Sequence, residues 1–460
     1  MTAAAGDAAP GPPMRLPDSL ARFVRRGGLG RSMAHVGGAT ALSQLIGLAV
    51  LPLVSRHLGQ VAFGQFGLFF TLATTLGAAG ALGLPEALLA ARRWREAMAL
   101  LAAALWAVLL MGLVCAAITF VLVRTDSFGL GRLPGWTFLV MAPVIWLISL
   151  AMVLQLWLVR RRRFKSLASA YVSQGALRGG TQVAASMAAP ALGWLVLLGA
   201  EIVGRLSTVL VMGAPARLAI AAAIRIDRRR WWSAVVRYWR FPVFRTPSML
   251  ANNLAAGLPL FLLASAFAAP DIGNFTFMMA IVVGPVGFMQ RAVGDVFLGE
   301  FSARYRRGGR DARSLLLKTA AALMCIAAPV ALALMFLGPI LFGFVFGQSW
   351  RGAGVLASAY APIFLGNLVV APLGGALNVT GRPGYKLAVD LSGIAALTLS
   401  FGISRALGFD VTHTTSAFAV ASLCAYSLYF LLILRAVGNV GGASAVHPSV
   451  TADRPGDPAA

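Results

Sequence analysis

Negative charge is scarce in this chain. Among 460 residues only 15 are Asp or Glu, against 39 Lys and Arg, and charged residues together make up 12%. That is about half the charged share of an ordinary soluble domain, which excludes a soluble globular protein. Cysteine is nearly missing as well. Cys115, Cys325 and Cys424 each fall within an apolar stretch, without the density of a disulfide framework or the spacing of a metal site, and read as small packed hydrophobes. The four histidines, His35, His57, His413 and His447, are scattered, and none is read as a ligand. There is no phosphate-cradling Gly-Lys-Ser/Thr loop, no paired-histidine motif and no nucleophile elbow. The expectation is a protein with no catalytic residue, metal or cofactor, and not an ATPase.

What the chain has in abundance is apolar length. Hydrophobic residues make up 59% and the mean hydropathy is +0.80, the composition of a membrane protein. Windows suited to helices of about 20 residues pick out twelve spans, near 33–55, 64–90, 97–123, 136–158, 167–189, 191–213, 246–268, 272–299, 315–338, 353–379, 387–407 and 412–434. The expected fold is all-α, with about twelve transmembrane helices in two six-helix bundles. The stretch 1–32, rich in Pro, Gly, Ala and Arg, lacks the early apolar core of a signal peptide and reads as a flexible cytoplasmic tail. Residues 33–213 form the first bundle, 214–245 a basic linker, 246–434 the second bundle, and 435–460 a disordered tail.

The positive charge is placed, not spread. Of the 39 Lys and Arg, 31 lie in the tails and in the connections at 91–96, 159–166, 214–245, 302–318 and 381–386. The opposite connections hold only Arg56, Arg124, Arg132, Arg351 and Arg405. Basic loops stay cytoplasmic, so both termini are expected inside. The runs Arg160–Arg163 with Lys165, and Arg228–Arg230 followed by Trp231 and Trp232, read as topogenic charge at an anionic leaflet. A second reading has them gather an anionic headgroup.

Sliding the chain along itself by 209 positions sets Gly64 on Gly273, Phe66 on Phe275, Leu53 on Leu262, Gln44 on Asn253 and Glu86 on Asp295. This points to a duplication, with halves related by an axis along the membrane normal.

Ionisable groups inside spans are costly and face a partner or a wet cavity. They are Arg178, Glu201, Arg205, Arg291, Asp295 and Asp390. Glu201 with Arg205, and Arg291 with Asp295, are four apart and share a helix face, as self-neutralising pairs or as functional groups. Arg178 has no acid on its own helix and sits among Gln174, Thr181 and Gln182. Its planar fork suits it to hold two phosphate oxygens. Gln44 in the first span and Asn252 and Asn253 in the seventh either bond neighbouring helices or line a cavity. Pro52, Pro247 and Pro259, with Gly37, Gly38 and Gly47, loosen the same two helices.

With these residues in view the chain resembles a known family. The carrying stretches are Leu51-Pro52-Leu53-Val54-Ser55-Arg56-His57-Leu58-Gly59 with Phe63-Gly64-Gln65-Phe66, Ile272-Gly273-Asn274-Phe275, and Leu377-Asn378-Val379-Thr380-Gly381-Arg382 with Lys386. They are similar to the polysaccharide-export flippases, O-antigen flippases included, of the multidrug/oligosaccharidyl-lipid/polysaccharide (MOP) superfamily. The resemblance covers roughly residues 33–435. It implies an inner-membrane flippase that moves a polyprenyl-pyrophosphate-linked oligosaccharide by alternating access. Its cavity would be lined by basic residues, with Arg178, Arg205 and Arg291 as the matching positions, and by Gln44, Gln174, Asn252 and Asn253. Glu86, Glu201, Asp295 and Asp390 are the candidates for coupling or gating. The implied partners are lipid-linked oligosaccharide, membrane lipids and a polysaccharide polymerase with its export machinery; nucleic acid is not expected. The first span has no buried Arg, which argues against lipid II as the cargo. Two alternatives stand beside this reading. A multidrug or cation exporter of the same superfamily would present acids where this chain leans basic. A membrane glycan polymerase or ligase would carry a larger outer loop than 124–135.

Overall fold

A computed structural model describes residues 28–306, 310–380 and 383–438, and among them there is helix and turn but no strand. The tails expected at 1–32 and 435–460 lie outside the described residues, apart from the helix ends at Gly28 and Gly438. The first half runs α1 (Gly28–Ser55), α2 (Gln60–Gly77), α3 (Leu84–Ala90), α4 (Trp94–Arg124), α5 (Thr137–Arg160), α6 (Phe164–Ala188) and α7 (Trp194–Gly213). Two short helices follow, α8 (Arg217–Ile224) and α9 (Arg228–Arg237). The second half runs α10 (Thr246–Ala264), α11 (Ala269–Arg306), α12 (Arg310–Phe346), α13 (Arg351–Val369), α14 (Gly375–Val379), α15 (Pro383–Ala406) and α16 (Val411–Gly438).

Nine helical stretches among the described residues are long and apolar enough to cross a membrane. The less apolar α2, α6 and α15 bring the passes to twelve when α3 is counted with α2 and α14 with α13. Six fall in each half, at the places the apolar windows mark. The expected unbroken span at 64–90 differs. The helix stops at Gly77 and restarts at Leu84, because Leu82 and Gly83 take left-handed backbone angles and Pro85 opens α3. A Cβ at Gly80 would stand 2.0 Å from Ser149 Oγ, so the break brings the backbone against α5. The cysteines also differ from expectation. Cys115 is buried, whereas Cys325 and Cys424 are exposed on their helices.

By packing, the chain divides into two compact units. Among the described residues, one comprises those from Gly28 to Leu51, Ala73–Val121 and Gly135–Asn253; the other comprises Pro52–Leu72, Leu122–Pro134 and the described residues from Leu254 on.

In the first unit the core joins α3, α4 and α5 through Leu84, Leu88, Leu100, Leu101, Leu154 and Trp157. Lipid removes most of the hydrophobic drive between helices, so close packing and hydrogen bonds must hold them. α6 illustrates this. Its buried positions, Leu167, Ala170, Gly175, Gly179, Gln182 and Ser186, form a stripe of mostly small and polar residues. A Cβ at Gly175 would be 2.7 Å from Ser43 Cα on α1, and one at Gly179 would be 3.1 Å from Ile46 and Val50. Glycine there lets the two backbones meet.

The basic connection at 214–245 is helical in part and is clamped within this unit. Arg237 meets Glu96 at 2.6 Å, the Tyr238 hydroxyl donates to the same carboxylate at 3.2 Å, and Arg245 Nε donates to Glu86 at 3.3 Å.

In the second unit, Phe297, Phe301, Leu316, Leu373, Leu377 and Ile433 form one core. A second knot gathers Phe63, Phe277, Phe346 and Trp350, with Phe277 and Trp350 stacked at 4.0 Å between centroids. Trp350 is fully buried, and its indole N–H donates to Ser55 O at 2.8 Å. This satisfies the one polar atom that burial would otherwise strand.

The same unit contains the crossing of α2 and α11. A Cβ at Gly64 would stand 3.0 Å from Gly273 N and 3.1 Å from Ala269 O, and one at Gly273 would stand 1.9 Å from Gln60 O. Gly67 meets Thr276 in the same way. Every partner differs from its counterpart by 209 or is reached through that offset: Gln60 pairs with Ala269, Gly64 with Gly273 and Gly67 with Thr276. The contact is reciprocal, as residues around a two-fold axis are.

Candidate functional site

The three charges read from the sixth and seventh helices of the first unit come together. A turn of one 3-10 helix, Pro190–Leu192, and a Gly193 at positive φ fold α7 back on α6. Arg178 on α6 then faces Glu201 on α7, with Arg178 Nη1 3.5 Å from Glu201 Oε2. Arg205, one turn along α7, approaches Glu201 Oε1 at 2.7 Å through its Nε. Two glycines make the room. A Cβ at Gly47 of α1 would sit 2.7 Å from Arg178 Nη2, and one at Gly204 of α7 would sit 2.9 Å from Arg178 Cβ. Arg178 therefore threads between α1 and α7, at a three-helix junction.

The electrostatics follow from burial. The Glu201 side chain is 3% exposed, Arg205 16% and Arg178 26%. A carboxylate that deep in a membrane helix needs a cation, and two supply it. Two arginines share one acid, so the cluster carries a net charge of +1. Arg178 is weakly engaged: its ion pair is long, and its buried Nε has no hydrogen-bond partner among the described residues. A guanidinium has five donors, so Arg178 keeps capacity for an anion. The same two helices, α6 and α7, carry Gln174, whose backbone carbonyl oxygen would be 3.2 Å from a Cβ at Gly204, the buried Gln182, and Ser207, whose hydroxyl donates to Gly204 O at 2.7 Å.

The other expected site residues are placed differently. Gln44 is half-buried on α1, Asn252 is exposed on α10, and Asn253 donates to Met249 O of its own helix at 2.9 Å. Glu86 forms an ion pair with Arg245. Asp295 on α11 and Asp390 on α15 are exposed. The side chain of Arg291 lies outside the described residues, so its pairing with Asp295 does too.

The second unit has a polar group that charge-seeking along the sequence missed. Gln290 Nε2 on α11 donates to Asn367 O on α13 at 2.7 Å, and the Tyr426 hydroxyl on α16 donates to Asn367 Oδ1. Gly366 leaves space for the Tyr426 ring. An amide in the middle of an apolar window, at Asn367, is the signal that would have found it.

Twelve helical passes make this a multi-pass membrane protein, with a basic cluster buried among its helices. Among solved structures, an inward-facing multidrug-resistance MATE family transporter of the MOP superfamily is similar, at 15% identity and TM-score 0.66, over 88% of this chain and 96% of that one. The lipid II flippase MurJ in an inward closed conformation is similar at 12% identity and TM-score 0.67, over 88% and 89%. So is a MOP superfamily transporter from Pyrococcus furiosus, described as having a reverse polarity of binding pocket that suggests a different function. It shows 13% identity and TM-score 0.58, over 92% and 96%. Likeness at such identities establishes the fold, which is that of the MOP superfamily. No curated protein matches the sequence. The family model for polysaccharide biosynthesis proteins matches residues 53–354, about two thirds of the chain, and the chain belongs to that family.

Proposed function

We propose that this protein is a flippase that carries a polyprenyl-pyrophosphate-linked oligosaccharide across the bacterial inner membrane, with both termini in the cytoplasm. The observation that carries the reading is the net positive cluster of Arg178, Glu201 and Arg205. An exporter of cations would be served by an excess of acid, and here the excess is basic. For the Pyrococcus furiosus transporter too, a reverse polarity of the binding pocket is described as suggesting a different function.

In this mechanism Glu201 holds the place of the cargo. Incoming pyrophosphate takes over the guanidinium groups of Arg178 and Arg205 and displaces the Glu201 carboxylate. Charge-assisted bonds offset the cost of dehydrating the pyrophosphate. Gln174 and Gln44 offer hydrogen bonds to sugar hydroxyls, and the prenyl tail stays in lipid. Arg291, Asn252 and Asn253 are further lining candidates, and Glu86, Asp295 and Asp390 are candidates for coupling. Rocking of the two halves then exposes the cargo on the other side. No covalent step is needed, and the partners are the polymerase and export machinery that receive the glycan.

The test is a deletion strain complemented with Arg178→Ala. The expected result is accumulation of lipid-linked oligosaccharide on the cytoplasmic leaflet, with surface polysaccharide reduced at least about tenfold, the loss of one charge-assisted contact, at normal protein level. Full export by the variant would overturn the assignment of Arg178. Single repeat units accumulating on the outer leaflet of the deletion strain would replace the flippase reading by a polymerase or ligase.

A further inference from the structure

A cavity of about 310 Å³ opens in the first unit at the end of the helices where the connections 91–96, 159–166 and 214–245 meet. Trp94 and Met98 of α4, Trp157 of α5, Arg161 and Arg163 of the following turn, and Leu218 of α8 line it. The site is separate from the Arg178 cluster.

The arginine run beside it does not act as one patch. Arg160 is committed to the backbone, where its Nη1 donates to Leu88 O at 2.8 Å and Ala91 O at 2.7 Å, the end of α3. Arg162 occupies a left-handed turn position and does not line the cavity. Arg161 and Arg163 do. The Arg161 guanidinium sits over the Trp94 ring, 5.2 Å from its centroid, and Trp94 lies 5.3 Å from Trp157. The indole face attracts the guanidinium without using its N–H groups, which stay available to an acceptor.

The two kinds of lining define the ligand. Two guanidinium groups without a carboxylate in the lining call for an anion, and phosphate suits their geometry. Indole rings and the side chains of Met98, Leu158 and Leu218 call for an apolar continuation of the same molecule. Tryptophan beside arginine is the pairing that settles at a headgroup boundary. The volume is at the small end for ligand pockets, which fits a headgroup rather than a whole lipid. We propose that this cavity binds the headgroup of an anionic phospholipid, holding α8 against α4 and α5.

The test uses the full chain purified from membranes and exchanged into mixed vesicles of phosphatidylglycerol and phosphatidylcholine with identical acyl chains. Retained lipid is then counted by native mass spectrometry. Wild type is expected to retain one phosphatidylglycerol at least about tenfold above phosphatidylcholine, since each basic group near a headgroup contributes about a factor of five. The double variant Arg161→Ala/Arg163→Ala brings the two lipids to parity, whereas Arg162→Ala leaves the preference intact. Should the double variant fail to fold, Ala222→Trp fills the cavity and keeps both arginines, and it is expected to lose the retained lipid. Equal retention of the two lipids by wild type, or a preference unchanged in both cavity variants, overturns the proposal. Displacement of the lipid by millimolar glycerol 3-phosphate would assign the site to a soluble phosphate instead. None of these outcomes depends on glycan export.

Discussion

The two units solve the problem of polar groups in an apolar solvent in different ways. The first buries formal charge, one carboxylate between two arginines, and keeps a positive remainder. The second joins neutral groups, Gln290, Asn367 and Tyr426, whose hydrogen bonds run between α11, α13 and α16. Duplicated positions diverge likewise: Glu86 is tied to Arg245, whereas Asp295, its counterpart at the 209 offset, is exposed. A shared fold sets where helices run, and local sequence decides which half buries formal charge. Charge in one half and neutral bonding in the other leave a cluster with a positive remainder and one whose groups satisfy each other.

The comparison can be broken at three points. Glu201→Gln removes the only acid of the charged cluster and leaves two arginines crowded without a counter-ion. Half-buried cations stripped of a partner cost about 3–5 kcal/mol, so thermal unfolding in detergent should fall by several degrees and recover in Glu201→Gln/Arg205→Gln. An unchanged melting temperature in the single variant would mean that the arginines find solvent and the cluster is not electrostatically closed. Asn367→Ala tests the neutral group. It leaves the Tyr426 hydroxyl without its Oδ1 acceptor while Gln290 keeps the backbone carbonyl of residue 367, at about 1–3 kcal/mol, and unlike Glu201→Gln its effect should not change with salt between low and high ionic strength.

The smallest effect comes from Asp410, an exposed acid just ahead of α16 that contrasts with the buried Glu201. The His413 backbone N–H donates to Asp410 Oδ1 at 2.7 Å, an N-cap bond that holds the carboxyl below its usual range. A carboxylate lowered on folding stabilises above its unfolded pKa of about 3.9 and loses that contribution as pH falls through the folded value. Asp410→Ala should therefore cost about 1 kcal/mol at pH 7, with the difference from wild type closing as the solution is acidified below pH 4. A gap that persists in acid would show that the contact acts through packing alone.

Helix number and membrane class were readable because a crossing helix needs about 20 apolar residues, a signal that survives loose boundaries. Glu201 with Arg205 was readable because spacing within one helix is fixed. The contact of Arg178 with Glu201 was not, since it joins two helices, and nothing in a linear spacing states which turn of α6 meets which turn of α7. The same limit hid Glu86 with Arg245, 159 positions apart, and the two carbonyls that Arg160 binds. The break after Gly77 escaped notice because Ala78 to Leu82 is as apolar as a helix interior. Its cause is a pair of left-handed residues, not a loss of hydropathy.

The crossing of Gly64 and Gly273 has an implication for ancestry. A contact in which each partner repeats the other's role is what two identical chains make when they dimerise about a two-fold axis. The glycine pair is arranged as the seam of such a dimer would be, inside one polypeptide. A half-length chain meeting its twin would need one glycine at such a seam, whereas this single polypeptide must keep two, Gly64 and Gly273, each answerable to separate mutation.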